Sequence, residues 1–130
     1  MYNTLLQSND PALMVECLNG YRLKEKLPTN VGAFTVPLGK AEILREGSDV
    51  TVVSYGSTLR VVTEVAEELQ AMGISIEIID PQTLFPFDTD NICASSLKKT
   101  NKLLVVDEDL PGGGSAYIVQ QILEAQNGYD

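Results

Sequence analysis

Val50-Thr51-Val52-Val53-Ser54-Tyr55-Gly56-Ser57-Thr58-Leu59 is the stretch on which the fold turns. Its first six residues are β-branched and almost continuously apolar, the pattern of a strand covered on both faces. At Gly56-Ser57-Thr58 the period changes. Leu59, Val62, Ala66 and Leu69, widened by Val61, Val65 and Met72, form one apolar stripe, and Arg60, Glu64, Glu67 and Glu68 lie opposite. This reads as an amphipathic helix capped by Ser57 or Thr58 and stopped by Gly73.

The same alternation continues toward the C-terminus. Ile74-Ser75-Ile76-Glu77-Ile78-Ile79 predicts a strand with one face partly wet, broken by Asp80-Pro81. Phe85-Pro86-Phe87 makes a turn, and Asp88 is placed to cap a short helix carrying Ile92, Cys93 and Leu97 inward. Leu103-Leu104-Val105-Val106 reads as a further strand buried on both faces, followed by a last helix with Ile118, Val119, Ile122 and Leu123 on its stripe. Upstream, Leu38 to Leu44 predicts an edge strand, and Ala12 to Cys17 an isolated one. The order β-α-β-α-β-α implies a mostly parallel sheet with helices on both faces, because each crossover must cover a face. The expected fold class is therefore α/β, a three-layer α/β/α domain. The Leu103 to Val106 strand wants neighbours on both sides, so a further strand is expected beyond Asp130 and the chain is expected to be a fragment of a larger polypeptide.

Composition narrows the chemistry. The chain has 130 residues, Lys+Arg 9 against Asp+Glu 18, a net charge of −9, no His and two Cys. A chain of this size buries roughly 60% or slightly more of its unfolded surface, enough for one core. Without histidine, Ser-His-Asp and Cys-His arrangements and imidazole metal ligands are excluded. The acidic balance argues against nucleic acid and anionic membranes, which need clustered Lys and Arg. Lys98, Lys99 and Lys102 form a short basic cluster that suits a helix C-terminus. Cys17 and Cys93 lie far apart with no CxxC, so they read as reduced thiols of a cytoplasmic protein, Cys93 in a core. The apolar runs are far shorter than the ~20 residues that span a bilayer, and Met1 is followed by polar Asn3, Gln7, Ser8 and Asn9 rather than a secretory leader.

In an open parallel sheet, ligands sit beyond the strand C-termini where crossovers diverge. The loops so placed are Tyr55-Gly56-Ser57-Thr58 and Asp107 to Ser115. Gly56, Ser57 and Thr58 could offer backbone N–H groups to an anion. Gly112-Gly113-Gly114 has neither the GxxxxGK spacing nor a lysine. Asp107, Glu108 and Asp109 precede it, and each like-charge approach near 4 Å costs about 4 kcal/mol in a surface-like dielectric. The glycines therefore read as a close-packed helix entry, and the three carboxylates as a solvated loop or a rim for a basic partner. Ser57 has no base to activate it. No catalytic, cofactor or metal residue is assigned; Gly56, Ser57, Thr58, Asp107, Glu108 and Asp109 stand as candidate partner or anion loops.

Taken in series, Pro37-Leu38-Gly39-Lys40-Ala41-Glu42, Arg45-Glu46-Gly47-Ser48-Asp49-Val50-Thr51-Val52-Val53-Ser54-Tyr55-Gly56, Glu64-Val65-Ala66-Glu67-Glu68-Leu69, Ile79-Asp80-Pro81-Gln82-Thr83-Leu84-Phe85-Pro86-Phe87-Asp88, Ser96-Leu97-Lys98-Lys99-Thr100 and Val105-Val106-Asp107-Glu108 through the glycines resemble the C-terminal domain of the transketolase family. Asp10 to Glu16, Gly20-Tyr21-Arg22 and Pro28 are similar to the end of the pyrimidine-binding domain in the β part of a thiamine-dependent 2-oxo acid dehydrogenase E1 component.

The resemblance implies two parts: residues 1–37, tail and linker of the preceding domain, and residues 38–130, an incomplete transketolase C-terminal-like domain. Its first strand, about Lys40 to Arg45, would run antiparallel at the sheet edge. It implies a parent enzyme that decarboxylates a branched-chain 2-oxo acid or pyruvate on thiamine diphosphate with Mg²⁺. None of the family's cofactor-holding residues falls on this chain, which would be inactive alone. The implied partners are other E1 domains or subunits and the binding domain of the E2 acyltransferase. Self-association is expected as well, through the exposed Leu103 to Val106 edge. Two departures stand out: Arg60 follows Leu59 where relatives often carry His in this helix, and Pro81-Gln82 replaces the usual Leu-Arg. Alternatives are the C-terminal domain of a transketolase or deoxyxylulose-phosphate synthase, and a stand-alone flavodoxin-like ligand-binding module.

Overall fold

A computed structural model describes residues 1–24, 26–27 and 29–128. Pro28, Glu25 within the charged run Arg22 to Lys26, and anything past residue 128 lie outside the described residues. The elements are α1 (Tyr2–Leu6), a 3-10 turn (Leu18–Arg22), β1 (Glu42–Arg45), β2 (Val50–Ser54), α2 (Gly56–Ala71), β3 (Ile76–Asp80), α3 (Ile92–Thr100), β4 (Leu103–Val106) and α4 (Gly114–Ala125).

The strands form one four-stranded sheet in the order β1-β3-β2-β4. β2 runs parallel to β3, with Val50 opposite Ile76 and Val53 opposite Ile79, and parallel to β4, with Thr51 opposite Leu103 and Ser54 opposite Val106. β1 is the antiparallel edge, pairing Glu42 with Asp80 and slipping register between Ile43 and Arg45. Because strand side chains alternate, the residues of β2 and β3 divide between two cores. Val52, Ile76 and Ile78 meet Val62 and Ala66 of α2 on one face. On the other, Val53 and Ile79 pack with Cys93 of α3 and with Ile118 and Ile122 of α4. The architecture is α/β/α, as the pattern of the sequence implies.

Several expectations change at the level of single elements. Ala12 to Cys17 is not a strand; it pairs with neither edge of the sheet and runs irregularly into the 3-10 turn. Helix α2 begins at Gly56, with Tyr55 in the cap position, and neither Ser57 nor Thr58 caps it; the Thr58 hydroxyl instead donates back to the Tyr55 carbonyl at 2.8 Å. Gly73 does close α2, at φ +81°. Val61, Val65 and Met72, the flank of its stripe, face solvent, since only Val62 and Ala66 reach the sheet fully. The cap position of α3 is Asn91, yet Asp88 satisfies its first amides, accepting from Ile92 N at 3.0 Å and from Cys93 N at 2.7 Å. β4 is only half-buried, with Leu104 51% exposed, because it forms the other sheet edge and α2 lies over β2 and β3.

The wet face expected for β3 is dry. Glu77 is 1% exposed and its carboxylate is paired with the Lys99 ammonium at the end of α3. The Gly47 amide donates to the same carboxylate at 3.2 Å, and Glu46 also reaches Lys99, at 3.4 Å. Nearby Thr51 shares its hydroxyl with Ser96 at 2.6 Å and Thr100 at 2.7 Å, so β2 and α3 are joined by polar as well as apolar contact. Among the described residues no buried side-chain polar atom lacks a partner. At Gly47 the chain crosses so close to β3 that a Cβ would fall on the backbone of Ile76 and Glu77. Only glycine fits there.

Replacing fully buried Ile79 by alanine should cost about 2–5 kcal/mol in urea unfolding, whereas Val61→Ser should stay within about 0.5 kcal/mol; equal effects would refute this division of core and surface. Burial is the largest influence on Glu77 and pushes its pKa up, but Lys99, Ser96, the Gly47 amide and Glu46 together hold it below its ordinary value of 4.5. The stability it contributes is thus present at neutral pH and lost as pH falls through the acid range below about 4.5. Thermal unfolding measured against pH should show this fall, and Glu77→Gln should flatten it.

Candidate functional site

β2 has β3 on one side and β4 on the other, and α2 and α3 leave for opposite faces of the sheet. The divergence lies between the C-terminal ends of β2 and β4. There the structure brings the two candidate loops together. Ser57 Oγ donates to Glu108 Oε1 at 2.5 Å, and Tyr55 Oη donates to Asp107 Oδ2 at 3.1 Å. Thr58 does not reach the acidic loop; it stays with Ser54 at 3.0 Å and the Tyr55 carbonyl. Gly56 turns at φ +62° with the thiol of Cys17 close against it.

Each of the three carboxylates is consumed separately. Asp107 also accepts from the Asp109 amide at 2.8 Å, while Asp109 accepts from Leu110 N at 2.7 Å and Gly114 N at 3.2 Å. Adjacent side chains thus diverge, and no pair of them faces a common proton. The glycines serve close packing: a Cβ at Gly114 would strike the Tyr55 hydroxyl, and one at Gly113 the Asp109 carboxylate. Glu108 sits beside the start of α2, where an anionic ligand would have to bind, so the positive end of that helix already has a carboxylate.

Electrostatics are set by these contacts. The Asp107 carboxyl is held below its usual range chiefly by the Asp109 amide, against a smaller opposing effect of burial, and further by Tyr55 and Ser115. Burial first, then the hydrogen bond to Asp107 and the charges of Asp107 and Asp109, push the Tyr55 phenol up to about 12. Cys93 is inert, its thiol pushed up by burial and by Asp88. At the C-terminal end of β3, burial raises the Asp80 carboxyl although the Gln82 amide opposes it, and Glu42 raises it further. Gln82, standing where relatives were expected to carry arginine, turns at φ +59° and donates its amide to Glu42 at 2.6 Å.

Two features escaped the sequence reading. Phe85, 77% exposed, lies against Tyr117 with ring centroids 4.7 Å apart, and Phe87 meets the same ring edge-on at 6.2 Å. An open groove of about 810 Å³ runs beside β4 and α4, with Val105, Val119 and Leu123 among its walls. The signal for the groove was present in Val119 and Leu123, which lie on the α4 stripe yet find no core to enter.

Because the raised Tyr55 pKa favours the protonated phenol in the fold, stability should be full below about pH 10 and fall as pH rises toward 12. Ultraviolet titration should find one tyrosine ionising about two units late, and Asp107→Asn should bring it earlier. A normal titration of every tyrosine would dissolve the Tyr55–Asp107 contact.

The transketolase, C-terminal domain family matches residues 39–130. Acetoin:2,6-dichlorophenolindophenol oxidoreductase subunit beta of Bacillus subtilis is 38% identical over 96% of this chain and 35% of its own length. The mitochondrial 2-oxoisovalerate dehydrogenase subunit beta of Chaetomium thermophilum is 41% identical over 84% of this chain and 23% of its own. The pyruvate dehydrogenase E1 component subunit beta of Staphylococcus aureus is 36% identical over 92% and 36%, respectively. The chain therefore spans roughly a third or less of these curated relatives. A solved split-gene transketolase, an inactive β4 tetramer, superposes with a TM-score of 0.64 at 27% identity, covering 73% of this chain and 31% of that one. With an antiparallel edge strand, a parallel β3-β2-β4 sheet and a family match over most of its length, the chain belongs to the transketolase C-terminal domain family.

Proposed function

We propose that the chain is the assembly portion of the E1 β component of a cytoplasmic 2-oxo acid dehydrogenase. In this reading residues 38–130 bind other E1 domains or subunits and offer the loops at Gly56, Ser57, Thr58 and Asp107, Glu108, Asp109 to the basic binding domain of E2. Residues 1–37 are the tail of the preceding pyrimidine-binding domain. Oxidative decarboxylation of a branched-chain 2-oxo acid or pyruvate takes place in protein outside this chain.

The observation that carries the reading is the mutual satisfaction of the two loops: Ser57 is spent on Glu108 and Tyr55 on Asp107. A ligand-binding module or an enzyme needs polar groups left over for its substrate, and at this edge they are already bonded to one another. In this reading thiamine diphosphate and Mg²⁺ are held by protein outside this chain. Among the described residues no three His, Cys, Asp or Glu side chains converge to hold a cation, and the glycine loop would meet a diphosphate with carboxylates. The names of the relatives, all β subunits, and of the inactive β4 tetramer support a role as one part of an assembly. No helix among the described residues is long and apolar enough to cross a membrane.

Titration calorimetry of the chain with thiamine diphosphate and Mg²⁺ should give no saturable heat. Micromolar binding would overturn the scaffold reading. The E2 peripheral-subunit-binding domain should bind, and Asp107→Asn combined with Glu108→Gln should weaken it roughly tenfold, about 1.4 kcal/mol; unchanged affinity would remove these loops from the docking face.

A further inference from the structure

Edge strand β1 meets β3 with a carboxylate on each side of its first pair. Glu42 stands directly opposite Asp80 in the antiparallel register, and residues so opposed project to one face with Cβ atoms roughly 5 Å apart. That face is the one of Ile76 and Ile78, whose parity along β3 Asp80 shares. The turn after β3 ties both carboxylates to a single residue. Gln82 donates its backbone N–H to Asp80 Oδ1 at 2.9 Å and its side-chain amide to Glu42 Oε2 at 2.6 Å. Neither carboxylate swings away without breaking one of these bonds.

The cations around the pair are engaged elsewhere. Arg45 of β1 is bound to Glu67 of α2 at 2.5 Å, Lys40 ahead of β1 is bound to Asp90, and Arg60 of α2 faces Glu64 at 3.6 Å. β2, the other neighbour of β3, has no charged residue in Val50–Ser54. Glu77 of β3 has the opposite parity and is paired with Lys99. Asp80 is half-buried while Glu42 is exposed, so Asp80 is the member of the pair less able to stay ionised beside a like charge.

We propose that Asp80 and Glu42 act as a proton-sharing pair that clamps β1 to β3 in acid. A proton taken from solvent by Asp80 lets its carboxyl donate to the Glu42 carboxylate, and repulsion across the edge becomes a hydrogen bond. Burial first holds the Asp80 carboxyl above its ordinary value of 3.8; the Gln82 amide opposes this and the Glu42 charge adds to it. A raised carboxyl penalises the fold at neutral pH, and the penalty is relieved as pH falls toward 3.8. Glu77 titrates in the opposite sense. β1 is thus gripped at Asp80 under the conditions that loosen the Gly47 crossing from Glu77.

Carboxyl-carbon NMR titration of the full chain tests the pair directly. Asp80 should take up its proton at higher pH than an ordinary aspartate, and Glu42→Gln should lower its midpoint by roughly half a unit. Gln82→Gly, which suits the φ of +59° and keeps the backbone donor, should lower it as well by freeing Glu42. In a Glu77→Gln background, where the opposing titration is absent, amide exchange along β1, corrected for its intrinsic pH dependence, should slow as pH falls through the Asp80 midpoint. Adding Asp80→Asn should abolish that change. An Asp80 midpoint indifferent to Glu42→Gln leaves burial as its whole cause and overturns the proposal. Coupled titration with no slowing of exchange in β1 overturns it too, because the shared proton would then clamp nothing.

Discussion

β2 and β3 have no face to give to water. Both strands are buried on each side, and this constraint dictates that one helix cover Val52, Ile76 and Ile78 while two others cover Val53 and Ile79. The polar residues on this pair are accommodated on the same terms. Thr51 is closed off by Ser96 and Thr100, Ser54 donates to the Val106 carbonyl at 3.0 Å, and Glu77 is neutralised by Lys99. A buried carboxylate without its ammonium is expensive, so α3 must end where Lys99 can reach β3. The position of α3 is thereby set by charge as well as by the packing of Cys93 and Ala94.

A sheet closed in this way leaves a carboxyl edge that has turned its polar groups on itself. Parallel strands converge there, and in many α/β proteins this is where a ligand enters. Here the acidic loop after β4 folds onto the first turn of α2 and fills it with the chain's own carboxylates. Phe85, on the turn after β3, lies against Tyr117 of α4.

Those parts of the fold whose pattern is local were legible from the residues. β2, α2, β3, α3 and α4 announce themselves through runs such as Val50 to Ser54 and stripes such as Ile118 and Ile122, because a period is a property of neighbouring residues. The departures arise where a distant neighbour decides. β4 has the apolarity of a central strand, but its place in the sheet depends on which strand stands beyond it. Ala12 to Cys17 has strand propensity but pairs with neither edge of the sheet. Glu77 looks solvent-facing in an alternating run, since the lysine that buries it lies 22 positions on. The meeting of the two loops could be anticipated from topology, whereas the pairing of Tyr55 with Asp107 and of Ser57 with Glu108 could not, being fixed by the rotation of α2 against β4.

The close crossing at Gly47 has a bearing on how this domain tolerates change in length. Its backbone rests on that of β3 with no room for a methyl group, while at Gly73 nothing lies within 4 Å of the corresponding position. Two connections that both join consecutive elements of the sheet are therefore unequal as sites for added material. A reporter peptide or a new chain terminus can be introduced at the α2–β3 turn with the strands left in register, and the same graft between β1 and β2 would pry the antiparallel edge away from the sheet.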